Sequence, residues 1–506
     1  MLTVSPELPP QPPEVMTAKT TNAITRTEYQ TLRFMKITPL SEKFSQIYSS
    51  IIYILISVNL LYLGTSNTLS GGIFPMKYTI GIDTGTTSVS IAAINESREL
   101  LRSITENHGA FIPGDFPESR VQNPAKILSI VMAGLESITQ EYGSPSAIGF
   151  TGQMHGVLYL DKSGNPVTPL YTWEDPSANI PVDGKSSLEI LHSHGVKCSA
   201  GYGVATHFYL QRAGKIPSDA VRLSTLSDYI AMKLCGKNEP LLSAEMAAGL
   251  GGFDVQKREF LLDRLESAGV DVSFLPENVK GYAVIGHSGN DVPVISSMGD
   301  NQASFMGSVD GDNTLLLNIG TGSQVSFMTR EFAQTDGDIE LRPYGDDYLL
   351  AGAALCGGRA YAMLESFYRE ICGSPCYEMM SGQAEEFLRT HGLTQAWNVD
   401  TRFQGTRSNP NITGSVTGIN DGNFTPGAFT VGVMRGIITE LFNMYAAMKN
   451  LTGRNAHAIV GSGNGLRKNE IMRRIAGEIF GLEVRVPEYQ EEAARGCAIC
   501  AMKTAV

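Results

Sequence analysis

Two apolar runs flank a polar turn in "MKYTIGIDTGTTSVSIAAI", residues 76–94. Tyr78 to Asp83 reads as one short buried strand, and Ser88 to Ile94 reads as another. Only Thr84, Gly85, Thr86 and Thr87 lie between them. So short a link predicts an antiparallel hairpin, because parallel strands need a long crossover. Asp83 ends the first strand beside three threonine hydroxyls and a glycine. Such a turn offers N–H groups and hydroxyls to an anion, and a carboxylate to the anion's metal. A purely structural hairpin is the alternative.

The same signal returns in "NTLLLNIGTGSQVSFMT", residues 313–329. Leu315 to Ile319 and Gln324 to Met328 are the strands, and "GTGS" is the turn. A hairpin repeated at this distance predicts two similar domains facing each other across a cleft. "SMGDNQASFMGSVDGD", residues 297–312, is the expected crossing between them. A third glycine cluster follows a short apolar strand in "AIVGSGNGLRKNEIMRRIAGEIFG". It precedes an amphipathic helix expected from about Lys468 to Phe480.

Length supports the division, since 506 residues exceed one core and suit two or three domains. The net charge is −12, and no stretch is basic enough to track a nucleic-acid backbone, so that partner is set aside. Seven scattered cysteines argue against a disulfide framework and for the cytoplasm. "CAIC" at 497–500 has redox or zinc spacing, but it sits in an alanine-rich helical stretch without a second pair. Buried thiols on a helix are the expected reading.

Residues 1–75 differ in character. "SPELPPQPPE" is low-complexity and expected to be extended or disordered. Residues 44–63 run without a charge, long enough for a membrane anchor, with Arg26, Arg33, Lys36 and Lys43 before them. The preferred reading is that the native chain starts at Met76, which directly precedes the first strand. The leader then resembles translated non-coding sequence, and a membrane is not a partner.

Two common nucleotide motifs fail. "NIPVDGKS" has Asn179 where a P-loop needs its first glycine, and "GSGNGL" ends on Leu466 where a dinucleotide fingerprint needs glycine. What remains resembles the FGGY carbohydrate kinases, through D-x-G-T-T-S, G-T-G-S and the late G-S-G-x-G strand–turn–helix. "GFTGQMHGVLYLDKSG", "SAGYGVATHFYL", "SDYIAMKLCG" and "GDNQASFMGSV" resemble its sedoheptulokinase branch most, with xylulokinases next. The resemblance spans residues 78 to about 501. It implies an α/β fold of two actin-like, ribonuclease-H-like domains facing across a catalytic cleft. The expected division is a sugar-binding domain at 76–308 and a nucleotide-binding domain at 309–506.

The resemblance also implies ATP, Mg2+ and a small-molecule sugar as ligands. By position, Asp83 matches the aspartate near the metal, and Asp300 matches the catalytic base. Met154, His155, Tyr202, Asn301 and Trp173 fall at the sugar; Thr86, Thr87, Thr321, Gly322, Gly358 and Gly463 fall at the nucleotide. Two departures concern the choice of sugar. Ser177 replaces the arginine of W-x-D-x-R, and Ala244 and Met246 replace an expected Asp and Asn.

Phosphoryl transfer needs positioning and charge neutralisation, which two opposed turns and a base would supply. Asp300 would take the proton of the attacking hydroxyl; its structural alternative is a helix N-cap. Trp173 is either a platform for the sugar's apolar face or core. His192 and His194 are expected at a helix end. The function expected is ATP-dependent phosphorylation of a terminal ketose hydroxyl, sedoheptulose first and xylulose or another ketose or polyol second. A sugar-binding regulator and a chaperone-like ATPase are the alternatives of other classes. A homodimer is compatible with the sequence.

Overall fold

In the computed structural model, which describes residues 77–488 and 491–505, both apolar runs of the first hairpin are strands. The leader, including the apolar run at 44–63, lies outside the described residues. Strand β1 (Tyr78–Thr84) pairs antiparallel with β2 (Ser88–Asn95), which pairs with β3 (Leu100–Asn107). On its other side β1 runs parallel to β4 (Ile148–Gly152). Beyond β4 lie the hairpin β5 (Val284–Ser288) and β6 (Val292–Ile295), then the short β7 (Met298–Gly299), which also pairs with β4. Ile80, Ile82, Ile91 and Phe150 are buried in the sheet. Helix α1 (Pro124–Tyr142) covers it with Ile127, Val131, Leu135 and Ile138, and Asn123 caps that helix by accepting from two backbone N–H groups.

The second hairpin founds a second sheet with a similar centre. Strands β8 (Thr314–Ile319) and β9 (Ser323–Thr329) pair antiparallel, and β10 (Ile339–Tyr344) and β11 (Asp347–Ala354) extend the β9 side. On the other side β8 runs parallel to β12 (Ala458–Ser462), which runs parallel to β13 (Val484–Arg485). In each sheet a central hairpin strand has its antiparallel partner on one side and a parallel strand on the other. The repeated hairpin therefore marked a repeated sheet.

Several helices position the site. They are α2 (Gly203–Arg212), α3 (Leu226–Leu234), α4 (Ala244–Gly249) and α5 (Asp300–Ser308), followed by α6 (Gly358–Cys372), α7 (Tyr377–His391) and α8 (Pro426–Thr452). The amphipathic helix expected from about Lys468 to Phe480 is present, starting two residues later. A short α9 (Gly463–Arg467) follows β12, and α10 (Glu470–Phe480) starts after Asn469, whose side chain accepts from the Met472 N–H. That cap favours a fresh start over a continuous helix. His192 lies in the last turn of the helix Ser187–Ser193 and His194 is its C-cap, as expected.

The final helix, α11 (Glu492–Thr504), follows the second sheet in sequence yet packs on the first sheet and on α5. Contact is backbone to backbone. A Cβ at Gly81 would stand 1.9 Å from the Ala494 carbonyl oxygen, and one at Gly149 2.1 Å from that of Cys497. A Cβ at Gly307 would stand 1.8 Å from the Glu492 oxygen, and one at Gly496 1.8 Å from the Ala303 oxygen. The "CAIC" thiols lie inside this contact: Cys497 and Cys500 are buried and unpaired, and burial pushes both thiols up. They are packing groups, as the helical reading expected. Among the described residues no helix is long and apolar enough to cross a membrane.

Two glycines test this account. Gly496→Ala is expected to cost about 2–3 kcal/mol in denaturant unfolding, because neither backbone can retreat. Gly382 lies inside α7 with no described atom within 4 Å of its added Cβ. Gly382→Ala is expected to gain about 0.5–1 kcal/mol from helix propensity alone.

Candidate active site

Three parallel strands deliver the acidic residues to one place. Register pairs Asp83 with Thr151 and Thr84 with Gly152 across β1 and β4. It then pairs Met298 with Thr151 and Gly299 with Gly152 across β4 and β7. Asp83 and Asp300 thus lie at the carboxyl ends of β1 and β7, where open α/β sheets place their ligands. Gly152 must be small, since its Cβ would stand 2.2 Å from Thr84 Oγ1. That hydroxyl also lies 2.9 Å from Ser227 Oγ on α3.

Asp83 is only half-buried, but its Oδ1 is shut off from solvent and has no hydrogen-bond partner among the described residues. Burial, then the charges of Asp300 and Glu491, push its carboxyl up to about 7. An orphaned carboxylate oxygen facing other acids fits a divalent cation. Among the described residues no three metal-ligating side chains form a cage of their own. Magnesium does not need one, because it keeps waters and phosphate oxygens as ligands.

Asp300 is the first residue of α5, and Gly299 is the N-cap. The cap expected of Asp300 therefore belongs to its neighbour. Asp300 Oδ1 accepts instead from the Asn301 N–H at 2.7 Å and from Asn301 Nδ2 at 3.1 Å. Asn301 holds the carboxylate in orientation, and the helix N-terminus favours its charge.

The first turn is braced from below. Gln122 Nε2 donates to the Thr86 carbonyl at 2.7 Å, and Gln153 Nε2 donates to Gln122 Oε1 at 3.0 Å. The His108 ring lies with Nε2 3.3 Å from the Gly85 carbonyl, and its Nδ1 accepts from the Ala110 N–H. Trp173 is 49% exposed, so it is not core. Its indole N–H donates to Thr86 Oγ1 at 2.9 Å, tying it to the first turn. Thr87 is exposed at the tip.

His155 stacks face to face on Tyr202, with ring centroids 4.2 Å apart. His155 Nδ1 lies 2.5 Å from the Gly249 carbonyl, so that nitrogen carries the proton. Burial holds the ring below its ordinary pKa, which leaves it neutral with Nε2 free to accept. Met154 departs from expectation. It is buried in an apolar cluster with Val157, Val204, Met246 and Leu250, so its side chain supports the turn from behind.

The second turn is assembled from glycines. The Gly358 N–H donates to the Gly320 carbonyl at 2.9 Å, and the Arg359 N–H donates to the Thr321 carbonyl at 3.0 Å. A Cβ at Gly357 would stand 2.4 Å from the Gly322 oxygen, and one at Gly463 2.5 Å from the Ile319 oxygen. Thr321, Gly322, Gly358 and Gly463 are therefore brought together. The Gly358 N–H is already used on the turn itself.

Sequence reasoning missed Glu245, which sits between the two departures Ala244 and Met246. It accepts from the Gly299 N–H at 2.9 Å, from the Gly345 N–H at 3.1 Å and from the Tyr282 hydroxyl. Burial pushes its carboxyl up to about 7. It also missed Arg342 and Glu340, which pair on one face of β10, and Arg407, which reaches Glu340. Their spacing at i and i+2 in "IELRPY" was the one signal available. Ser177 is buried, and its N–H donates to Asp175, whose carboxylate also accepts from Ser119 and Arg120.

Comparison with known proteins agrees with this arrangement. The sequence matches the FGGY family of carbohydrate kinases in its N-terminal domain over residues 78–307 and in its C-terminal domain over residues 315–505. It is 28% identical to sedoheptulokinase from Mus musculus, covering 80% of this chain and 93% of that one. It is 24% identical to xylulose kinase from Staphylococcus xylosus, over 84% of this chain and 90% of that one. The fold superposes on ligand-bound xylulose kinase from Lactobacillus acidophilus with a TM-score of 0.69 at 20% identity, over 85% and 89% of the two chains. With both domain matches in place and the duplicated sheets between them, the chain belongs to the FGGY family of carbohydrate kinases.

Proposed function

We propose that this kinase transfers the terminal phosphoryl group of ATP to the terminal hydroxyl of a ketose, converting sedoheptulose to sedoheptulose 7-phosphate. The observation that carries this reading is the strand register that sets Asp83 and Asp300 on either side of the end of β4, with a neutral His155 close by. Sedoheptulose is chosen over xylulose on the higher identity of the sedoheptulokinase relative. Residues 76–308 form the sugar-binding part and 309–506 the nucleotide-binding part, with α11 returning to the first sheet. Seven cysteines, all unpaired among the described residues, favour the cytosol.

Each residue then has a task. His155 Nε2 accepts a sugar hydroxyl, and Tyr202 holds the imidazole flat by stacking. Asp300, fixed by Asn301, accepts the proton of the attacking hydroxyl as its oxygen meets the phosphorus in line. The two turns, with Thr86 and Thr87 on one side and Thr321, Gly322, Gly358 and Gly463 on the other, take the phosphates. Trp173 presents its exposed face to the sugar while its N–H steadies Thr86, so sugar and phosphate are positioned by one side chain. Asp83 would hold magnesium, which supplies charge neutralisation on the phosphate oxygens.

ADP release from residues 76–506, with magnesium-ATP and a panel of ketoses and polyols, tests the reading. Sugar-dependent turnover is expected, largest on sedoheptulose. Asp300→Asn is expected to lower kcat by about 10²–10⁴-fold while ATP still binds. Undiminished turnover in that variant, or ATP binding with no sugar-dependent turnover by the wild type, would overturn it.

The elevated Asp83 carboxyl predicts a pH dependence with a definite sign. Below about pH 7 the group is protonated in the nucleotide-free protein and must ionise to meet a cation. Magnesium-ATP affinity is therefore expected to rise by up to about tenfold per pH unit below 7 and to level off above it. Calorimetry in two buffers of different ionisation enthalpy should register proton release near pH 6.5. In the absence of the cation, the stabilisation from the protonated group is complete below its unfolded value and is lost as pH rises through 7. Divalent cation should restore stability above that pH.

A further inference from the structure

Arg342 is 9% exposed, and its Nη1 is enclosed with no hydrogen-bond partner among the described residues. Its Nε and Nη2 donate to Glu340 Oε2 at 3.1 and 2.6 Å, and Arg407 Nη1 reaches Glu340 Oε1 at 3.3 Å. A buried charged donor left unpaired is costly, and folds keep one where something else completes it.

The strand that carries Arg342 is fixed to the catalytic helix. Gln302 Nε2 on α5 donates to the Pro343 carbonyl at 3.0 Å. Glu245 accepts from both the Gly299 and Gly345 N–H groups, gripping the residue before Asp300 and the turn after β10. Arg258 donates to the carbonyls of Gly345 and Asp347. Arg342 is thereby held one residue from a direct contact with the helix that Asp300 begins. Its charge is felt at both His155 and Tyr202, and that of Arg407 at Tyr202.

Resting on the kinase reading above, we propose that Glu340, Arg342 and Arg407 bind the hydroxyls at the far end of the sugar chain and so set a preference for ketoses longer than five carbons. The cluster offers an acceptor between two donors, which is the complement of a vicinal diol: each hydroxyl donates to Glu340 and accepts from an arginine. Glu340 also argues against a polyphosphate occupant, whose charge it would repel. Asp300, His155 and Tyr202 all lie within electrostatic reach of Arg342, so a sugar that meets the base and the stacked pair borders this cluster too. Discrimination is then strong, because a shorter sugar leaves buried polar groups unmatched.

The test compares kcat/KM for sedoheptulose and for D-xylulose, together with the KM for ATP, in wild type, Arg342→Gln and Arg407→Gln. The ratio of sedoheptulose to xylulose is expected to fall at least about tenfold in Arg342→Gln, through KM. It should fall at least about threefold in Arg407→Gln, whose half-exposed side chain leaves folding unaffected. If Arg342→Gln does not fold, Arg407→Gln and Arg342→Lys decide the matter by the same ratio. A ratio within threefold of wild type in every folded variant, or a loss confined to the KM for ATP, overturns the proposal. Wild type turning over neither sugar would instead bring down the kinase reading, and this inference with it.

Discussion

The site depends on a contact in which no side chain intervenes. Gly81 on β1, Gly149 on β4 and Gly307 on α5 all meet the backbone of α11. Those three elements carry Asp83, Gly152 and Asp300 at or near their ends. Their relative positions are therefore set by main chain lying on main chain, the least compressible arrangement a protein interior allows. Ala494, Gly496, Cys497, Ala498 and Ala501, which meet those glycines, are small because close approach requires it.

A second constraint is electrostatic. Glu245 lies in the interior with its carboxylate satisfied by two backbone N–H groups and a phenol, one N–H from each side of the crossing between sheets. A buried acceptor with this many donors fixes geometry more than it adds stability, because desolvation offsets much of the attraction. It makes the turn at Gly345 part of the framework around Asp300. The turn at 320–322 lies on the opposite end of the same second sheet and is built separately, from glycine packed on glycine.

The parts of the fold visible in the sequence are those coded locally. Both hairpins, the third strand–turn and the helical setting of Cys497 and Cys500 follow from periodicity and turn chemistry within some 20 residues. The helix expected from about Lys468 starts at Glu470, where the Asn469 cap sets its first turn. The candidate site was legible where a residue lies at an element's end beside a glycine, as Asp83 does near the end of β1 and Asp300 at the start of α5. Met154 was misjudged because its backbone belongs to the turn while its side chain enters the core. Glu245 was invisible because its partners are 37 to 100 residues away, and Arg342 because His155 and Tyr202, the rings that feel its charge, lie far off in sequence. Trp173 was read as either platform or core, and its bond to Thr86 spans 87 positions.

The route of α11 has a consequence for biosynthesis. The first sheet is translated early, but its covering helix leaves the ribosome only after the whole second sheet. Until then the glycine-lined face of β1 and β4 stands open, and the N-terminal half waits as an unfinished intermediate of the kind that chaperones retain. A nascent chain stalled or cleaved just before residue 492 would keep its second sheet whole and lose the first. Damage near residue 492 would thus register in the sheet that begins at Tyr78.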